Sequence, residues 1–170
     1  MNKMFAEELQ QLAIFRDLNV GQLALFTPFL KEAHFSQGAL IFDQGADARF
    51  LYIVADGEVV VRHRPYDGSV IVVAHLERGG VFGWSAVLGR CTYTSAAECS
   101  TPVDAYRVSR ADLHRLYQQY PDVGLLLLEH LAAAASVRLG KAYHHILVLL
   151  TRTINGLQDC EKGVADDGDQ

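Results

Sequence analysis

Positive charge is in short supply in this 170-residue chain: 15 Lys and Arg stand against 20 Asp and Glu, for a formal net charge of −5. A surface that grips a nucleic-acid backbone needs a basic face or stripe, and none runs through this sequence. Long apolar runs are missing too, since the longest stretches fall short of the roughly 20 residues that cross a bilayer. The N-terminus, Met1-Asn2-Lys3-Met4-Phe5-Ala6-Glu7-Glu8, carries acids where a secretory signal needs an apolar core. Both features point to the cytoplasm, away from membranes. Cysteine is scarce: Cys91, Cys99 and Cys160 form no CxxC pair and leave one thiol over in any disulfide scheme, which suits a reducing compartment. The seven histidines make no metal-ligating pattern, because adjacent His144 and His145 fall on different faces of a helix and cannot grip one ion together. No nucleophile, base and orienting residue stand in a recognisable arrangement, so an enzyme is not expected.

What is present is enough for a real core. Half of the residues are hydrophobic and the length is that of a single domain. Phe5 to Phe15 and Val20 to Leu30 carry apolar residues at helical spacing, with Asn19 as N-cap of the second helix and Pro28 shortening or breaking its later part. From Ala33 to Val108 the texture changes to short runs of Val, Ile, Phe and Tyr, separated by Gly and Asp. The spacing predicts strands over 40–42, 50–54, 58–64, 70–75, 93–98 and 103–108, with hairpin turns at Asp56-Gly57 and Asp67-Gly68. Strands of this length and number close into a small jelly roll able to hold one ligand. Ser109 then reads as an N-cap, answered by Asp112 in the manner of a capping box, for a helix ending near Tyr120. Pro121 opens the next.

That last helix, Pro121 to about Leu157, is the longest helical pattern and would extend roughly 55 Å at 1.5 Å per residue. Leu125, Leu128, Ala132, Ala135, Leu139, Ala142, Ile146 and Leu149 recur at spacings of three and four, as in a coiled-coil seam. A second stripe runs through Leu127, Leu131, Leu147, Leu150, Ile154 and Leu157. The pattern fits a two-fold homodimer seam or a helix folded back over its own roll, and the seam is the reading adopted. The expected organisation is one domain over 1–158, with N-terminal helices at 1–30, a β-roll at 33–108 and C-terminal helices at 109–158. An acidic, disordered tail follows over 159–170.

The stretch Gly79 to Ala96 organises the rest. Its glycines at 79, 80, 83 and 89 permit tight turns and close approach to the main chain, and Trp84 to Leu88 reads as one helical turn whose first N–H groups lack internal partners. Such a turn is suited to holding an anion. Phe82-Gly83-Trp84-Ser85-Ala86-Val87-Leu88, followed by Tyr93-Thr94-Ser95-Ala96, resembles the phosphate-binding cassette of the cyclic-nucleotide-binding domain family. That family includes the sensor modules of catabolite-activator-type transcription factors, cyclic-nucleotide-dependent kinases and gated channels. The resemblance continues upstream through Gly38 to Gly45 and Leu51 to Val59, and covers roughly Leu9 to Leu150. It implies a mainly β fold: a jelly roll with short N-terminal helices and a long C-terminal helix.

Carried over by position, the resemblance places main-chain ligand contacts at Gly83, Ser85 and Ala86, an apolar wall at Val73 and Leu76, and hydroxyls near the phosphate at Thr94 and Ser95. Two charged positions depart from the family. Trp84 stands where a ribose-binding Glu is expected, and Tyr93 where the phosphate-binding Arg is expected. Hydrogen bonds to charged groups contribute roughly 1.5–3 kcal/mol each, so losing both costs about 3–6 kcal/mol, or two to four powers of ten in affinity. Arg90 reads either as a replacement guanidinium or as a solvated loop residue. Trp84 reads either as a plug or as a stacking surface for a planar ligand.

The reading is therefore a regulatory module that senses cyclic AMP, cyclic GMP or a related small anionic metabolite and signals through a C-terminal dimer helix to a downstream protein. The competing reading is a degenerate module, its pocket filled by Trp84, that dimerises or docks. A haem sensor would need an axial ligand such as His75 or Cys91. No helix-turn-helix segment follows the long helix, so the chain reads as a sensor without an attached reader. A bulky residue at Gly83 is expected to abolish the ligand response while sparing the fold.

Overall fold

The computed structural model describes residues 3–137 and Gly140. Two compact units divide the chain, one ending at Ala132 and one beginning at Ala133. The first contains the roll. Its entry is helical: α1 spans Lys3–Gln10, a 3-10 turn covers Ala13–Phe15, α2 spans Val20–Phe26 and a second 3-10 turn covers Thr27–Phe29. Asn19 caps α2 with a full capping box, its side chain accepting from the Gln22 N–H while Gln22 answers to the Asn19 N–H. Pro28 lies in the 3-10 turn, and α2 stops two residues before it. The break expected there is observed, because proline cannot donate the hydrogen bond that would continue an α-helix.

Among the described residues eight strands follow: β1 Lys31–Phe35, β2 Leu40–Phe42, β3 Phe50–Asp56, β4 Val59–His63, β5 Ile71–Leu76, β6 Val81–Phe82, β7 Ala96–Cys99 and β8 Val103–Ser109. They form two four-stranded antiparallel sheets, β1-β8-β3-β6 and β2-β7-β4-β5. Six strands match the expected segments within a few residues. β1 and β6 were not anticipated. β1 reads Lys-Glu-Ala-His-Phe with one buried residue, and β6 is two residues long, so neither carries an alternating signal.

The turn at Asp56-Gly57 also differs from expectation. β3 and β4 belong to different sheets, so this pair is a crossover between layers rather than a hairpin. Gly57 is required there: φ is +89°, and a Cβ would lie 2.2 Å from the Pro102 carbonyl oxygen. The Asp67-Gly68 hairpin does join paired strands, β4 and β5.

Among the described residues two large apolar clusters fill the layers, and a third, small one joins Ala48, Ala86 and Tyr93. The outer face of the first sheet, with Leu51, Ile53, Tyr106 and Val108, is covered by helical residues including Phe15, Phe26, Leu116 and Leu127. Between the sheets lie Tyr52, Val54, Val59, Val61, Phe82, Ala97 and Cys99, with Phe35, Phe42 and Phe50 packed against them. Helix α3, Arg110–Gln119, starts on Ser109, whose side-chain oxygen accepts from the Asp112 N–H at 3.0 Å.

A helix α4 runs over 121–137 in the described residues. Within the first unit, Val123, Leu127 and Leu131 are the buried stripe, and the His130 Nδ1 donates to the Ile14 carbonyl at 2.7 Å. Leu125 and Leu128 of the proposed seam stay 58% and 41% exposed. Leu127 and Leu131 of the second stripe thus pack on the domain. The remainder of both stripes from Leu139 onward, His144-His145 and the acidic tail lie outside the described residues. Among the described residues, no helix is long and apolar enough to cross a membrane.

Candidate functional site

The cassette begins where β6 ends. Gly83 adopts φ +81°, ψ 27° and caps the 3-10 turn Trp84–Ala86. Ala86 donates to the Gly83 carbonyl, Val87 and Leu88 to that of Trp84, and Arg90 to that of Ser85, each at 3.0–3.1 Å. The N–H groups of Trp84 and Ser85 open this turn, the positions that lack intrahelical acceptors. Ser85 and Ala86 are buried. A Cβ on Gly83 would approach the Phe50 carbonyl oxygen to 2.5 Å and the Tyr52 ring to 3.3 Å. A bulky residue at 83 therefore disturbs β3 itself. The expectation that such a change spares the fold is overturned by this contact.

Trp84 is half-buried, and its ring packs on the helix-side cluster rather than between the sheets. Its Nε1–H donates to the Val81 carbonyl at 3.1 Å. The side chain thus braces the cassette turn against the helical layer.

Tyr93 is buried. Its hydroxyl donates to the Phe50 carbonyl at 2.8 Å and accepts from the Phe50 N–H at 3.0 Å, and its ring stacks on Phe42 at 3.7 Å. Burial pushes its hydroxyl pKa above the usual value, so it stays protonated. Tyr93 thus ties the cassette to β3. Arg90 is exposed, and its carbonyl accepts from the Arg110 guanidinium at 3.3 Å.

Thr94 is exposed and Ser95 half-buried, just before β7, and the Thr94 carbonyl accepts from the His63 Nδ1 at 2.9 Å. On β5, Leu76 packs with the inter-sheet cluster, whereas Val73 is exposed. In the register, Val61 pairs with Ala74 and Arg62 with Val72, leaving Val73 as an unpaired bulge residue. The fold therefore keeps Gly83 to Ala86 as one turn and aligns Leu76 with the roll, while Val73 and Arg90 face solvent. His75, on β5, is exposed and paired with Glu58 at 2.9 Å, and Cys91 is an exposed loop thiol. Among the described residues no three His, Cys, Asp or Glu side chains group as metal ligands.

One polar residue of the roll escaped the sequence reading. Arg107, on β8, pairs in register with Tyr52, and its guanidinium carbon lies 4.8 Å from the centre of the Phe50 ring. Its Nε is buried without a hydrogen-bond partner among the described residues. Burial lifts the neighbouring Tyr52 hydroxyl to about 12, against a smaller opposing pull from Arg107. The signal was available: alternation along β8 puts position 107 on the same face as Val103 and Ala105.

A family model for the cyclic nucleotide-binding domain matches residues 32–120, more than half of the chain. The chain belongs to the cyclic nucleotide-binding domain family. Within that family it is 27% identical over 126 residues to a CRP-like cAMP-activated global transcriptional regulator of Mycobacterium tuberculosis, covering 74% of this chain and 56% of the relative. It is 31% identical over 128 residues to a cyclic nucleotide-gated channel of Caenorhabditis elegans, covering 72% of this chain and 17% of the channel. The chain thus spans about half or less of these relatives. Among solved structures, a cyclic nucleotide-binding domain from Methylobacillus flagellatus superposes with a TM-score of 0.78 at 19% identity, over 85% of this chain and 83% of the other. The catabolite activator protein of Thermus thermophilus superposes with a TM-score of 0.67 at 26% identity, over 81% of this chain and 62% of the other. The jelly roll and the family expected from the sequence are both borne out.

Proposed function

We propose that this cyclic nucleotide-binding-family domain is a regulatory module that binds a cyclic nucleotide, or a related small anionic metabolite, on the cassette and reports occupancy through helix α4. The observation that carries this reading is the turn at Gly83: a left-handed glycine opens a turn whose first N–H groups, those of Trp84 and Ser85, have no intrahelical acceptor, and the Trp84 ring packs on the helix-side cluster. Thr94 and Ser95 supply hydroxyls, and Leu76 an apolar wall. Binding rests on main-chain donors and the positive end of the turn, because Tyr93 is committed to Phe50 and brings no charge. Affinity is correspondingly lower than for a site with an arginine on the phosphate.

The exposed Leu125 and Leu128, continued by Ala132 and Ala135, support a homodimer seam along α4. In this reading the acidic module works in the cytoplasm, contacts no nucleic acid or membrane directly, and hands its signal to a partner protein. Titration with cyclic AMP and cyclic GMP, followed by Trp84 fluorescence and calorimetry, tests it. Saturable binding at micromolar to sub-millimolar concentration is expected, and silence to millimolar ligand would move the assignment to the docking reading. The Leu125→Glu, Leu128→Glu double variant should sediment as a monomer where the parent sediments as a dimer.

A further inference from the structure

We infer that the cleft between the cassette and helix α3 is a second binding site, shaped for a small molecule with an aromatic or branched apolar body and one acidic group. The cavity measures about 720 Å³ and is bounded by residues 47–50, the cassette around Ala86, Val87 and Cys91, and α3 from Ser109 to Tyr117. Small-molecule sites span roughly 300–1,000 Å³ and combine an apolar lining with few polar groups. Ala86, Val87, Leu113 and Tyr117 supply that apolar lining here.

The rim sets the charge of the occupant. Asp47 and Arg49 pair with each other at 2.8 Å and cancel. Arg110 makes no ion pair among the described residues. Among those residues its guanidinium donates to the Arg90 carbonyl, at 3.3 Å, and passes 3.6 Å from where a side chain at Gly89 would begin. His114 lies one turn further along the same helix and also lines the cleft. An exposed, uncompensated guanidinium above an apolar floor favours a carboxylate, sulfonate or phosphate on an apolar body.

The cleft touches the cassette at Ala86 and Val87 and is lined by none of Gly83, Ser85, Val73, Leu76, Thr94 or Ser95, so it adjoins the cassette site on its α3 side without filling it. Its walls are the cassette turn and α3. An occupant would wedge between the anion-binding turn and the helix that leads toward α4, making it an input independent of the cassette ligand.

The probe for the test is 1-anilinonaphthalene-8-sulfonate, an aromatic sulfonate of suitable size, read by its own fluorescence and by energy transfer from Trp84. Ala111→Phe, at an exposed position on the cleft wall, should weaken binding at least tenfold. Arg110→Gln should weaken it three- to tenfold and flatten its salt dependence. Bound dye should slow alkylation of Cys91, followed by mass spectrometry of its peptide, and excess cyclic AMP should leave the dye in place. Two results would overturn the inference: dye binding unchanged in both variants with Cys91 unprotected, or full displacement of the dye by cyclic AMP. Should Ala111→Phe fail to fold by circular dichroism, Arg110→Gln and Cys91 protection still decide.

Discussion

The cassette stands or falls with Gly83, and its contribution separates into two parts that a pair of variants resolves. Gly83 and Gly45 both hold left-handed backbone, at φ +81° and +87°. An L-residue in that region costs roughly 1–2 kcal/mol. At Gly45 nothing lies within 4 Å of an added Cβ, so Gly45→Ala should lose only that strain. At Gly83 the same Cβ would sit 2.5 Å from the Phe50 carbonyl oxygen and 3.5 Å from the Leu51 Cα. β3 is paired on both sides, by β8 and β6, and cannot retreat without disturbing two ladders. Overpacking of this kind costs about 1–3 kcal/mol, which brings Gly83→Ala to about 2–5 kcal/mol in total. The new methyl also restricts the unfolded chain, an offset of about 0.4–1 kcal/mol that is common to both variants and drops out of the comparison. Urea unfolding, followed by far-UV circular dichroism and Trp84 fluorescence, reads both. Equal losses for the two variants would refute the claim that main chain of β3 closes on the cassette at this point.

Tyr93→Phe removes the hydroxyl that both donates to and accepts from Phe50. Leaving those part-buried backbone groups unpaired should cost about 1–3 kcal/mol by urea unfolding, and a change below a few tenths would show that Tyr93 is not a tie to β3. Asp112 is buried, and its carboxyl pKa is held below the usual value, first by the Ser109 hydroxyl and further by Arg115 and Lys31, against an opposing effect of burial. Its stabilising contribution is therefore present above the ordinary carboxylate pKa and is lost as pH falls through the lowered folded value. Ser109→Ala should cost about 1 kcal/mol at neutral pH, and Asp112→Asn should flatten the acid limb of stability against pH. Arg107→Leu replaces a half-buried cation whose Nε has no partner among the described residues. Stability should hold or rise by about 1 kcal/mol, and a loss beyond about 2 kcal/mol would show that its contact with Phe50 outweighs desolvation.

Much of the local architecture was legible because local interactions make it. Asn19 and Ser109 cap helices through side chains three residues from their partners, and Pro28 stops α2 by its own covalent ring. The strands at 40–42, 50–56, 59–63 and 103–109 follow from runs of β-branched and aromatic residues. Of the glycines read as turn formers, Gly79, Gly83 and Gly89 have positive φ and Gly80 does not. The order of these signals was sufficient for the family.

Elsewhere the outcome depended on residues distant in sequence, which no local pattern encodes. β1 exists because β8, some 70 residues later, offers it a ladder from Lys31↔Arg107 to Phe35↔Val103. Asp56-Gly57 becomes a crossover because β4 finds β5 and β7 rather than β3. Trp84 turns to the helical layer because an apolar surface and the Val81 carbonyl await it there. Of the two helical stripes at 121–137, Leu127 and Leu131 are buried and Leu125 and Leu128 are left outside, a choice made by the shape of the helix-side core. The sequence by itself determined where two helices are capped, roughly where six of the eight described strands lie, and which family the ordered motifs follow. Only the tertiary structure decided which faces meet, because burial and strand pairing are properties of surfaces assembled from distant segments.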